Sequence, residues 1–115
     1  MAELDNKIIG TIEFGPSSDL INACTSQKLK HVMELGTFFV HPLYQRRGVG
    51  NMLLKTIYQE MSNYGVTEFC LDSGYREAQK LWRKKLGEPD YLLKNYWDAG
   101  CDHMIWRVDL KSVIE

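Results

Sequence analysis

The most constraining stretch of this chain is the junction His31–Asn63, where a continuous apolar run, Phe-Phe-Val at 38–40, is stopped by His41-Pro42 and followed by Gln45-Arg46-Arg47-Gly48-Val49-Gly50. Beyond the glycines, Val49, Leu53, Ile57 and Met61 recur every fourth residue, with Met52 and Tyr64 widening the stripe. A proline ends a strand because it has no N–H for the ladder, and a four-residue apolar period is that of an amphipathic helix. The junction therefore predicts a largely buried strand over His31 to Val40, a tight loop, and a helix from about Gly48 to Asn63 closed by Gly65.

The flanking sequence builds on that unit. Lys7 to Phe14 is rich in β-branched residues and ends at Gly15-Pro16-Ser17-Ser18, which predicts a strand and a turn. Asp19 to Lys30 admits either a short helical turn or a plain loop. Val66 to Leu71 reads as a third strand. A second helix follows from about Tyr75, with Ala78, Leu81, Trp82 and Leu86 on its inner face and Gly87 with Pro89 ending it. Tyr91 to Trp97 and His103 to Leu110 read as a final antiparallel pair turning at Asp98-Ala99-Gly100. The order predicts an α+β domain, a mixed sheet flanked by helices, in a single domain over residues 1–115.

Charge and composition narrow the function. A net charge of -1 across 115 residues argues against nucleic-acid binding through bulk positive charge, so any anion site must be local. The three cysteines, Cys24, Cys70 and Cys101, have no paired spacing, which predicts reduced thiols and a cytoplasmic location. There is no run of about 18 apolar residues and no leader-like N-terminus, so no membrane span or secretion is expected.

The loop itself carries chemistry. Two glycines let a backbone approach a ligand closely just where a helix presents its unpaired N–H donors, which suits a phosphate or pyrophosphate, and Arg46 or Arg47 can add a charge-assisted contact. No Ser/His/Asp order or metal-ligand spacing stands out.

The run ELGTFFVHPLYQRRGVGNMLL resembles motif A of the GNAT acetyltransferases: an aromatic-Val-x-Pro strand end, then Gln-x-x-Gly-x-Gly, then an amphipathic helix. MAELDNKIIGTIEF is similar to that family's second and third strands, and Ala78-x-x-Leu81 before Leu86-Gly87 to its last helix. LGEPDYLLKNYWDAGCDHMIW is similar to the C-terminal half of one GNAT subgroup. The resemblance implies acetyl-CoA as co-substrate and an amine as acceptor. It also implies a bulged strand whose main chain at Phe38, Phe39 and Val40 pairs with pantetheine, while Gln45, Arg46, Arg47, Gly48, Val49 and Gly50 wrap the pyrophosphate. Val40 N–H would polarise the thioester carbonyl, and Asp72-Ser73-Gly74, Ser73 in particular, would line the cofactor cleft.

For catalysis the resemblance implies Glu34 as a base acting through water, set against an ordinary solvent-facing strand glutamate. His31, His41 and His103 are further candidate bases, although His41 reads equally as a turn residue and His103 as a hydrogen-bonded strand residue. The family commonly has a tyrosine on its last helix to protonate the departing thiolate, where this chain has Trp82, so Tyr75 is the substitute candidate. The family's usual first strand and helix pair have no counterpart in this sequence, as in a truncated chain, a short natural variant or a subunit that borrows that wall from a partner, and the uncovered sheet predicts a homodimer. A catalytically silent acyl-CoA-binding module, or a structural fragment that has lost the ligand, are the competing expectations.

Overall fold

The computed structural model describes residues 2–4, 7–41, 43, 45 and 48–114. The strands are β1 (Ala2–Leu4), β2 (Lys7–Pro16), β3 (Met33–Val40), β4 (Glu68–Ser73), β5 (Tyr91–Asp98) and β6 (Cys101–Asp109). The helices are α1 (Asp19–Cys24), α2 (Val49–Asn63) and α3 (Arg76–Leu86), with a 3-10 turn at Leu110–Ser112. The sheet order is β1-β2-β3-β4-β6-β5. It is mixed as predicted, because β3 and β4 run parallel while β1–β2 and β5–β6 are antiparallel. The open segment after β2 forms the short helix α1, started by Ser18, whose Oγ accepts the Ile21 N–H.

Two compact units interleave along the chain, one of residues 1–15, 35–67 and 109–115, the other of 16–34 and 68–108. In the first unit, α2 buries Leu53, Leu54, Ile57, Tyr58 and Met61. Its close seat is made by Gly10 of β2, where a Cβ would stand 2.8 Å from Leu53 Cδ1 and 3.0 Å from the Phe39 carbonyl oxygen. The helix ends in a Schellman turn: Gly65, at φ 78°, donates to Ser62 O and Val66 donates to Met61 O. That turn takes up Val66 and Thr67, so β4 begins at Glu68 rather than at Val66 as expected.

In the second unit, Ile21, Leu29, Val32, Cys70 and Ile105 form one core cluster, with Cys24, Tyr91 and Leu93 packed against it. Burial pushes the Cys70 thiol up to about 12, which makes it a packing residue. Helix α3 packs against β4. Its expected inner face is the covered one, with Trp82 buried and Ala78, Leu81 and Leu86 half-buried, but it also takes in Gln79, which is buried and was not expected there. Gln79 is drawn in because its Nε2 donates to both Ser73 O and Asp102 O, a pair of tertiary bonds that an apolar period does not register.

The β5–β6 pair is present, with its turn at Ala99-Gly100, but its alternation is broken. Between the pairs Leu93↔His103 and Asp98↔Cys101, five steps of β5 face two of β6. The surplus arches outward through Asn95 at φ 57°. The Asn95 N–H donates to Asp102 Oδ1, and Gly100 N–H donates to Asn95 Oδ1, which ties the arch at both ends.

Candidate active site

The predicted cofactor residues other than Ser73 belong to the first unit. Gly48 caps α2 at φ 81°, a left-handed conformation that a side chain would strain, and no side chain caps the helix. A Cβ there would meet nothing within 4 Å, so the space beside it is open, whereas a Cβ on Gly50 would come within 3.3 Å of the Phe38 ring. Gln45 Nε2 donates to Val40 O at 3.1 Å, which closes the loop onto the end of β3. His41 is a turn residue: its Nδ1 accepts the Leu43 N–H. Phe38, Val40 and Val49 are half-buried and Phe39 is exposed. Arg46 and Arg47 lie outside the described residues. The arrangement fits an anionic group lying close against main chain, because bare glycine and a helix start without a side-chain cap leave room and N–H donors together.

The second unit holds the titratable groups. Glu34 is not the solvent-facing residue of the bland expectation: it is half-buried, and its Oε1 accepts the Ser18 N–H at 2.7 Å. Burial pushes its carboxyl above the usual range, the Ser18 bond pulls it part of the way back, and the Asp72 charge adds to the rise. Glu34 is the register partner of Cys70 on the parallel strand, so Asp72, two residues on, shares its face.

Asp72 Oδ2 lies 2.9 Å from His103 Nε2, and His103 Nδ1 lies 3.1 Å from the Trp97 indole nitrogen. Indole N–H can only donate, so Nδ1 is an acceptor and the imidazole proton sits on Nε2, donating to Asp72. His103 is therefore a hydrogen-bonded strand residue, 3% exposed. The second oxygen of Asp72 has no partner among the described residues.

Three further predicted residues take definite places. Ser73 is buried, and its Oγ accepts from Tyr75 N–H and donates to Tyr75 O, so the hydroxyl is engaged within the β4–α3 turn. Tyr75 stands at the N-cap of α3, 81% exposed, its hydroxyl without a partner among the described residues. Trp82 is 5% exposed, a core residue of α3. His31 is an exposed turn residue. Of the partners of Glu34 and His103, Asp72 was expected only as cleft wall, and two were not singled out from the sequence: Ser18 is an anonymous turn serine there, and Trp97 reads as strand hydrophobicity. Among the described residues no group of three or more His, Cys, Asp or Glu is placed to hold a metal ion, and no helix is long and apolar enough to cross a membrane.

A sequence profile of the acetyltransferase (GNAT) family matches residues 1–87, most of the chain. The chain belongs to the GNAT acetyltransferase family. Among solved structures it is similar to a putative GNAT acetyltransferase from Desulfovibrio desulfuricans, at 20% identity and TM-score 0.71 over 94% of this chain and 65% of that one. An aminoglycoside 6'-N-acetyltransferase complexed with coenzyme A is similar at 15% identity and TM-score 0.71, over 95% and 70% of the two chains. A GNAT acetyltransferase from Elizabethkingia anophelis with acetyl-CoA bound is similar at 17% and TM-score 0.65, over 93% and 72%. This chain thus spans about two thirds of the length of such structures. Among curated proteins no sequence matches.

Proposed function

We propose that this protein transfers the acetyl group of acetyl-CoA to a primary amine by direct attack, with no covalent enzyme intermediate. The observation that carries the reading is Glu34: a carboxylate fixed by one backbone donor, its proton affinity raised by burial and by Asp72, on the strand that leads into the glycine loop. An amine with a pKa of about 10.4 is almost fully protonated near neutrality, so such a base, acting through water, supplies what the acceptor lacks.

In this reading the main chain of Phe38, Phe39 and Val40 lies along the pantetheine arm, and Gln45, Gly48, Val49 and Gly50, with Arg46 and Arg47, hold the pyrophosphate. The Val40 N–H donates to the thioester oxygen as negative charge develops on it. The amine nitrogen bonds to the carbonyl carbon, the carbon–sulfur bond breaks, and the sulfur leaves with the electron pair. The engaged hydroxyl of Ser73 leaves that residue only a wall role. Tyr75 protonates the thiolate, or water does, since a thiol pKa near 8.5 makes the thiolate a tolerable leaving group.

Titration calorimetry with acetyl-CoA, run beside a thiol-release assay over an amine panel, tests the reading. Binding with acetylated product supports it. Binding without turnover favours the silent acyl-CoA module, for which buried Trp82 in place of a tyrosine is the supporting observation. The homodimer and the cytoplasmic location expected from the sequence stand as part of the proposal, and sedimentation at micromolar concentration tests the dimer.

A further inference from the structure

The hydrogen-bonded run from Trp97 through His103 to Asp72 ends beside Glu34, and the acetyl-transfer reading uses only its last member, Asp72. We propose that Asp72, His103 and Trp97 are positioning residues for the Glu34 base: Trp97 holds the imidazole neutral with its single proton turned to Asp72, so that Asp72 keeps its full negative charge beside Glu34. The inference rests on the reading of Glu34 as the base. Asp72 and Trp97 then act on the reaction only through other residues.

Four observations carry it. First, the donor count allows one state. With the Trp97 N–H aimed at Nδ1 from 3.1 Å, a proton on Nδ1 would set two donors head to head, and His103 is too deeply buried for water to separate them. Second, the backbone is shaped for the indole: a Cβ on Gly74 would stand 2.7 Å from the Trp97 ring nitrogen and 3.4 Å from His103 Nδ1. Third, the arch in β5 brings Trp97 there, although 57% of the residue stays exposed, so hydrophobic burial does not explain its position. Fourth, the surrounding charges leave the Asp72–Glu34 pair unneutralised. Glu34 faces the Ser18 N–H ahead of α1, the Cys70 thiol and Asp72. His103 faces Asp72, Trp97 and the Tyr96 ring. The next charges along β4 and β6, Glu68 and Arg107, are matched to each other in a two-bond ion pair.

The consequence is an arrangement in which a like charge strengthens a proton acceptor. Strand geometry sets Glu34 and Asp72 diagonally across a parallel pair, about 8 Å apart at Cα, within reach of a Coulomb interaction that partial burial leaves poorly screened. A proton taken up by His103 would turn its bond to Asp72 into an ion pair, cancel the Asp72 charge and weaken Glu34. Trp97 is placed to prevent that.

The test is a pH titration of the whole chain by nuclear magnetic resonance, following the His103 ring nitrogens and the Glu34 side-chain carboxyl, with kcat/KM profiles for any amine found to react. In the wild type, the neutral His103 ring should carry its proton on Nε2 and none on Nδ1, as the two hydrogen bonds require. Asp72→Asn should move the Glu34 titration and the acid limb of the rate profile to lower pH, with a rate loss of roughly 2- to 10-fold, because a weaker base is a poorer acceptor. Trp97→Phe should let Nδ1 take a proton and shift Glu34 in the same direction. Gly74→Ala removes no ionisable group and should reproduce the Trp97→Phe behaviour by displacing the indole. A Glu34 titration unmoved in folded Asp72→Asn protein overturns the proposal, as does a wild-type His103 ring that carries its proton on Nδ1. If the titrations behave as expected and no amine is acetylated, the acetyl-transfer reading fails while the electrostatic chain stands.

Discussion

The two interleaved units of this protein are built on different kinds of interaction. The first works with main chain: Gly10 admits a helix, Gly48 turns through a left-handed angle, and the start of α2 carries no side-chain cap. The second works with side chains met across long separations: Ser18 to Glu34, Asp72 to His103, Trp97 to His103. The helix start is written locally, because Gly48 and the helix it caps are neighbours in the chain, whereas Gly10 meets Leu53 only in the fold. Side-chain networks are written in pairs that no short motif contains.

Three substitutions, one of them read in two ways, sharpen or break that contrast. The largest effect is expected in the side-chain unit, where Glu34→Gln should lower the catalytic rate by roughly 10- to 100-fold near neutral pH, with much of the loss recovered at higher pH as the amine deprotonates unaided. A mutant with the wild-type pH–rate profile would leave water as the only base. In the main-chain unit, Gly48→Val should weaken acetyl-CoA binding more than about tenfold, about 1.4 kcal/mol, by calorimetry, since the side chain both strains the left-handed turn and fills the open space beside it. Equal affinity in a folded variant would remove the loop from the cofactor site.

Gly10→Ala should cost about 1 to 2 kcal/mol in denaturant unfolding, toward the low end for overpacking, because Leu53 can rotate away but the Phe39 carbonyl is backbone. The smallest effect is the stability counterpart of the first. Burial holds the Glu34 carboxyl above its unfolded value, so its contribution to stability is fully present below the unfolded value and is lost as pH rises through the raised folded one. Glu34→Gln, which keeps an oxygen for the Ser18 N–H, should therefore melt slightly higher than wild type near pH 7 to 8. The gain should stay under about 1 kcal/mol, given partial solvent screening, and vanish on acidification.

Legibility in the sequence follows the same division. The strand, loop and helix from Met33 to Asn63 are readable because a proline stop, two glycines and a four-residue period lie side by side, and the family resemblance rests on those same residues. Glu34 is readable as a strand glutamate, but its burial depends on Ser18, sixteen residues away. Gln79 was hidden for a related reason: its amide is buried by carbonyls on two other elements, and a polar letter in a helix looks like a solvent face. The β5 arch needed a left-handed Asn95, which alternating apolar residues around it disguise as regular strand.

That arch has a further consequence for how the protein behaves in company. β5 lies at one edge of the sheet order, where an uninterrupted row of free N–H and C=O groups would offer a template for another chain to extend. The out-of-register loop through Lys94, Asn95 and Tyr96 interrupts that row, and Asn95 spends its own N–H and side-chain oxygen inside the hairpin. The edge that exposes Tyr96 and Trp97 is thereby a poor nucleus for edge-to-edge aggregation, and straightening it by deletion would trade a shaped aromatic rim for a sticky strand.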